Sequence, residues 1–194
     1  MGSVTRKEAD DREGEKEITL PTPNPSPSGA GSTLASQKIK IKKIMYTLMK
    51  KINNNTPRGI RNNNPLNIEH SQSKWQGMAV EQTDKRFVQF KSMTWGIRAA
   101  FKTLQSYRTK HKCYTLSQFI KRWCPPIEKG NDTKTYIEFV SRLANVAPDV
   151  WLPSPRSAES LWCSIVEAMI RMECGKALPM ETIHNAWHKA FDEI

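Results

Sequence analysis

From Thr94 onward, apolar residues return every three or four positions, so this part of the chain reads as a succession of helices. Ile97, Ala100, Phe101, Leu104 and Tyr107 form one such face, and Thr94 is placed to cap its start. Leu116, Phe119, Ile120 and Trp123 form a second face. Thr115 and Gln118 stand at capping-box spacing before it, and Pro125 and Pro126 stop it. A third helix opens at Asp132 or Thr133, with Tyr136, Ile137, Val140 and Leu143 inward. A fourth runs from about Ser157 to Cys174, with Trp162, Ile165, Val166, Met169 and Ile170 in its stripe. Pro179, at a first-turn position, begins a fifth, whose inward residues are Ile183, Ala186, Trp187, Ala190 and Phe191. Ahead of these helices lie two short β-compatible runs, 74–81 and 86–91, which carry Trp75, Val80, Phe87, Val88 and Phe90. Thr83, Asp84 and Lys85 fall between them, and the pattern predicts a hairpin.

The amino-terminal third follows different rules. Residues 1–36 pass from mixed charge into a run of prolines and small residues that suits neither helix nor core, and they read as a tail and linker. Ile41, Ile44, Met45, Leu48, Met49 and Ile52 then fall on one face of a predicted helix, Lys38 to Ile52, with lysines elsewhere. Docking of this stripe on the chain's own domain is expected; a membrane surface or nucleic acid is the alternative partner. The expected organisation is therefore tail and linker at 1–36, a basic amphipathic helix at 37–56, and a mainly α (α+β) domain with one small hairpin at 57–194.

Composition narrows the partners without choosing one. The chain has 194 residues, 38% of them hydrophobic, with six Trp, enough for a single core. That core belongs to one domain of roughly 150 residues. No run of eighteen apolar residues is present, and no charged-then-apolar leader with a small-residue cleavage site, so neither a spanning helix nor a Sec signal is expected. The net charge is +11, unevenly spread: residues 1–20 hold six acids and four bases, whereas 21–68 hold eight bases and no acid. Such a surface favours polyanions, whether nucleic acid, anionic headgroups or acidic envelope polymers. Cys113, Cys124, Cys163 and Cys174, spaced by eleven, thirty-nine and eleven residues, fit neither a zinc ribbon nor a disulfide scaffold and read as buried thiols. His111 with Cys113 and Cys124 is too sparse for a metal site, and no cofactor is expected.

Two features carry candidate chemistry. Arg58 to Ile68 reads Arg-Gly-Ile-Arg-Asn-Asn-Asn-Pro-Leu-Asn-Ile, and the neutral amides of Asn62, Asn63, Asn64 and Asn67 suit the hydroxyl and acetamido groups of a sugar polymer. An asparagine-rich turn is the other reading, since Asn tolerates the left-handed conformation. The second feature is Glu173, which continues the apolar stripe of the fourth helix three residues after Ile170. A carboxyl on the buried side of a helix end is costly to ionise, and a protonated carboxyl is what a general acid requires. It could instead pair with a base across the fold or turn to solvent. Glu128 is a further candidate, and Glu69, Glu81 and Asp84 flank the hairpin as possible second carboxylates. Phosphate-cradling glycine loops, His-Glu-x-x-His and Gly-x-Ser-x-Gly are absent from the sequence.

These segments together resemble the phage and prophage murein-degrading enzymes of lysozyme-like fold. That family shows Arg-Gly-Ile-Arg-Asn-Asn-Asn-Pro-Gly-Asn-Ile, Trp-x-Gly, Phe-x-x-Phe and Gly-Ile-Arg-Ala. Here these are Arg58 to Ile68, Trp75 to Gly77, Phe87 to Phe90 and Gly96 to Ala99. Its later Trp-Ala-Pro-Pro, Glu-Asn-x-Thr, Tyr-Ile and Glu-Asn-Gly resemble Trp123 to Pro126, Glu128 with Asn131 to Thr133, Tyr136-Ile137 and Glu173 to Gly175. Leu66 stands in place of the family's Gly, Lys129-Gly130 is inserted, and Cys174 replaces Asn. The resemblance implies a lysozyme-like domain that cleaves peptidoglycan as a lytic transglycosylase or N-acetylmuramidase in phage entry or lysis. It implies Glu173 and Glu128 as catalytic, and Arg61, Asn62, Asn63, Asn64, Asn67, Trp75 and Tyr136 as substrate-binding. The helix-end Glu comes last, which reads as a circular permutation of the usual order. The alternative is a non-catalytic virion or envelope-binding protein on the same fold, with residues 1–52 attaching to other virion proteins. The expected location is the phage virion, or the host envelope after delivery.

Overall fold

The computed structural model describes residues 30–126 and 132–192; for 30–33 and 48–55 it describes the backbone alone. The chain divides into two units, Met1–Tyr46 and Thr47–Ile194. In the first, helix α1 (Ala30–Asn55) begins and runs on past the division. It starts inside the expected linker, because the last proline is Pro27 and nothing in Ala30 to Ser36 forbids a helix. Every described side chain from Leu34 to Tyr46 is exposed, and Ile41, Ile44 and Met45 are 57–59% exposed. Leu48, Met49 and Ile52, the other half of the expected stripe, lie outside the described side chains.

The second unit is mainly helical. Its elements are α2 (Arg58–Arg61), α3 (Met93–His111), α4 (Leu116–Trp123), α5 (Thr133–Ala144), α6 (Glu159–Cys174) and α7 (Met180–Phe191). Helix α6 is the axis of the core, with Trp162, Ile165, Val166, Met169 and Ile170 at 0–1% exposure. Burying each such side chain is worth about 1.5–3 kcal/mol. Helices α5 and α7 flank α6, α2 meets it, α3 packs on α7 and α4 on α5. Phe119 of α4 meets Trp162 edge to face at 4.8 Å, and the Trp162 indole N–H donates to the Pro153 carbonyl at 3.0 Å. The predicted capping box is formed, with Thr115 accepting from the Gln118 backbone and Gln118 returning to the N-cap. Three boundaries differ from expectation. Helix α3 starts after Ser92 rather than Thr94, α6 starts at Glu159, and Pro179 is the N-cap of α7 rather than its first residue. Leu143, expected inward, is 42% exposed, and its neighbour Ala144 packs on the core instead before α5 ends at left-handed Asn145.

The predicted hairpin takes another form. Among the described residues this region has only isolated antiparallel bridges, Glu69↔Phe87 and Met78↔Phe90. Segment 86–91 is held from two sides: the His70 and Val88 N–H groups donate to the Arg86 and Ile68 carbonyls, and the Ala79 and Lys91 N–H groups donate to the Gln89 and Gly77 carbonyls. A regular ladder is broken because other groups occupy the backbone. Phe90 N–H donates to the Asn62 carbonyl, Val88 C=O accepts from the Asn64 side chain, and Gln82 and Gln89 side chains close the turn between.

Candidate active site

The asparagine loop is clamped between two helix ends, and glycines permit the approach. A Cβ on Gly96, in the first turn of α3, would lie 2.0 Å from the Asn63 carbonyl oxygen. A Cβ on Gly59 would lie 2.8 Å from the Asn64 carbonyl and 2.9 Å from the Cys174 sulfur at the end of α6. From the same side, the Cys174 thiol donates to the Pro65 carbonyl at 3.1 Å. Burial, reinforced by the neighbouring Glu173 charge, pushes that thiol up to about 11, so it remains a donor. Asn63 and Asn67 have φ of 51° and 52°, the left-handed region that Asn tolerates best after Gly. Leu66, at the family's Gly position, needs no such freedom and is a core residue at 1% exposure.

Within this clamp, three of the four asparagines turn inward, which corrects their expected role. Asn64 is fully buried; its amide donates to Ile68 and Val88 carbonyls and its oxygen accepts from Ile68 N–H. Asn63 donates to the Phe90 carbonyl. Asn62, 5% exposed, donates to Asp84, which also accepts two bonds from Arg58 and one each from the Arg86 and Phe87 backbones. These amides satisfy protein groups that a broken ladder leaves open, and none of the three lines the groove described below. Arg61 is exposed and donates to the Thr56 carbonyl, outside the groove lining. Glu128 lies outside the described residues.

Asn67 is the exception. Its amide donates to Glu173 Oε2 at 2.8 Å. The other carboxylate oxygen, Oε1, accepts from the Tyr136 hydroxyl at 3.0 Å and from the Trp123 indole at 3.3 Å. Four elements therefore converge on one acid: the asparagine loop, the end of α4, the first turn of α5, and the last turn of α6. Gly175, left-handed at φ 64°, ends α6 just beyond Glu173 and lets its carboxyl stand at the mouth rather than inside the core. Burial and the Glu173 charge hold the Tyr136 phenol well above its ordinary value, so it acts as a donor.

Glu173 opens onto a groove of about 670 Å³. Trp75, Phe87, Tyr107, Trp123 and Tyr136 supply aromatic surface, and Arg86 and Arg122 supply cations. The Trp75 indole N–H is buried and has no hydrogen-bond partner among the described residues. Two other carboxylates line the same groove. Glu69 pairs with Arg86 at 2.6 Å, and Asp132 caps α5 through the Thr135 N–H and hydroxyl. Glu81 is exposed and outside the groove lining, and the bonds to Asp84 leave it structural.

Over 125 residues the chain is 34% identical to Protein P5 of Pseudoalteromonas phage PM2, a stretch covering 63% of this chain and 74% of that protein. The chain belongs to the Protein P5 family. No protein-family model matches it. The P5-family relationship connects the chain to bacteriophages and leaves the chemistry to be argued from the groove. Several groove residues of this P5-family chain escape a reading by periodicity. Trp123 and Tyr107 fit the inward faces of their helices, and only their place in the last turn or two before a stop signals that they reach a rim. Asp132 reads as a helix cap, which it also is. Among the described residues no helix is long and apolar enough to cross a membrane.

Proposed function

We propose that this chain cleaves peptidoglycan glycan strands between N-acetylmuramic acid and N-acetylglucosamine, in a lysozyme-like domain carried by a phage. The observation that supports this most is Glu173: a single carboxyl at a helix end, opening on an aromatic-walled groove and met by three donors. The groove volume of about 670 Å³ lies within the range of small-ligand sites. Aromatic faces suit the apolar faces of sugar rings, and Arg86 and Arg122 suit the carboxylates borne by muramyl units.

In this reading, protonated Glu173 gives its proton to the glycosidic oxygen as the bond to C1 breaks and positive charge builds on C1 and the ring oxygen. Asn67, Tyr136 and Trp123 already donate where the resulting carboxylate negative charge falls, so they stabilise the state that follows transfer. The carboxylate then takes a proton from the attacking hydroxyl. Water as attacker gives a reducing end; an internal hydroxyl of the same muramyl sugar gives an anhydro ring. Glu69 and Asp132, the other described carboxylates in the groove, are engaged by Arg86 and Thr135. That favours Glu173 acting alone, and with it the anhydro product of a lytic transglycosylase. The exposed Ile41, Ile44 and Met45 of α1, together with its lysines, support attachment of residues 1–52 to other virion components.

The test is mass spectrometry of muropeptides released from purified murein. Anhydromuramyl ends are expected. Reducing ends would replace the single-acid mechanism with hydrolysis through a second carboxylate. No soluble product from several murein types would overturn the reading in favour of a non-catalytic virion protein.

A further inference from the structure

A second cluster lies at the other end of α6. Glu159 and Cys163 stand one turn apart on α6, and His184 and His188 one turn apart on α7, so the two helices face each other with paired side chains. Ligand atoms of Glu159, Cys163 and His184 all lie within 4.8 Å of one another. Glu159 Oε1 is 2.6 Å from His184 Nδ1 and 3.2 Å from His188 Nε2. From Glu159 to Glu173 is about 21 Å along the helix at 1.5 Å per residue, and none of the four residues lines the groove.

We propose that Glu159, Cys163, His184 and His188 form a zinc site that pins the start of α6 to α7. The donor set of one carboxylate, one thiol and two imidazoles is the mixture that suits Zn²⁺ among common divalent ions. The two histidines have the His-x-x-x-His spacing that puts both imidazoles on one face of a helix. Zinc at about 2.0–2.3 Å from each ligand needs donors roughly 3.3–3.8 Å apart, so Glu159, Cys163 and His184, all within 4.8 Å of one another, require adjustments of about an ångström, and His188, held beside Glu159, swings in as the fourth ligand. An independent feature concerns His188. Its Nδ1 lies 2.5 Å from Asp192 Oδ2, which turns Nε2 toward Glu159. A carboxylate behind a histidine is the usual support for a metal-bound imidazole. Access also fits. Cys163 is fully buried at the floor, whereas the side chains of Glu159, His184 and His188 are 30%, 37% and 50% exposed, leaving an approach from solvent. On binding, the metal replaces the thiol proton, which leaves to solvent, and the Glu–His hydrogen bonds open.

The full chain, stripped with chelator and titrated with Co²⁺ under reducing conditions, tests this through absorption. One equivalent is expected to give tetrahedral d–d bands and a thiolate-to-cobalt charge-transfer band. Zn²⁺ should displace the cobalt and raise Tm. Cys163→Ser should abolish the charge-transfer band, while Cys113→Ser and Cys124→Ser keep it. Because Cys163 is buried and its variant can misfold, His184→Gln, at a half-exposed position, provides the second arm. A folded His184→Gln protein should bind Zn²⁺ more weakly by more than the about 10–100-fold that loss of an outer-shell partner costs. Absence of the charge-transfer band in wild type, its survival in Cys163→Ser, or unchanged affinity in His184→Gln would overturn the site.

Discussion

Asn64 and Asn67 are three residues apart and do opposite things. Asn64 completes the backbone of segment 86–90 from inside the protein, while Asn67 reaches Glu173. Sequence cannot separate them, because amide side chains serve a broken ladder and a sugar hydroxyl equally well. Glu173 was legible because helical spacing marked it as the polar end of an apolar stripe. Asp84 reads in the sequence as a turn residue and a possible second carboxylate, yet it is the hub for Arg58, Asn62 and two backbone N–H groups. The Arg58 guanidinium, opposed by burial and aided by the Phe87, Asn62 and Arg86 donors, holds its carboxyl well below the usual carboxylate range. A carboxyl depressed in the folded state contributes stability that is fully present above its unfolded pKa of about 3.9 and is lost as pH falls below it. Thermal melts of wild type should therefore drop as pH falls through that region, and Asp84→Asn should start lower and drop less. Parallel curves for the two proteins would remove Asp84 from the acid response.

At the scale of elements, periodicity located helices α3 to α7 because each buries a stripe, and stripes are written in the sequence. It missed what depends on partners. The four-residue α2 is too short for a periodic signal, and the 74–91 region forms no regular hairpin because the Gln82 side chain takes the Ala79 and Gln89 carbonyls and the Gln89 N–H that would continue the ladder. The predicted basic helix forms part of α1, and its described side chains from Leu34 to Tyr46 are exposed. The glycines of the two Gly-Ile motifs now have a physical reason, which is the closeness of helix ends to the asparagine loop. Gly96→Ala forces a methyl to 2.0 Å from a backbone oxygen that cannot rotate away. It should cost about 1–3 kcal/mol, the range for overpacking, measured by denaturant unfolding with unchanged m-value. A neutral result would mean that α3 and the loop are not clamped.

For the second unit as a whole, the helical architecture places two side-chain constellations at opposite ends of α6, the groove at its C-terminal end and the proposed zinc site at its N-terminal end. The second unit puts four elements around one acid, each from a different part of the chain, and this convergence is what a linear reading cannot supply. Membership of the Protein P5 family ties the chain to phages. The account turns on Glu173. The most direct measurement is the rate of murein solubilisation by wild type and Glu173→Gln, with both shown to be folded by circular dichroism and equal Tm. Glutamine keeps the shape and removes the transferable proton, so the rate should fall by about 10²–10⁴-fold, the contribution of a positioned general acid. A Glu173→Gln protein that releases muropeptides at the wild-type rate would contradict the account.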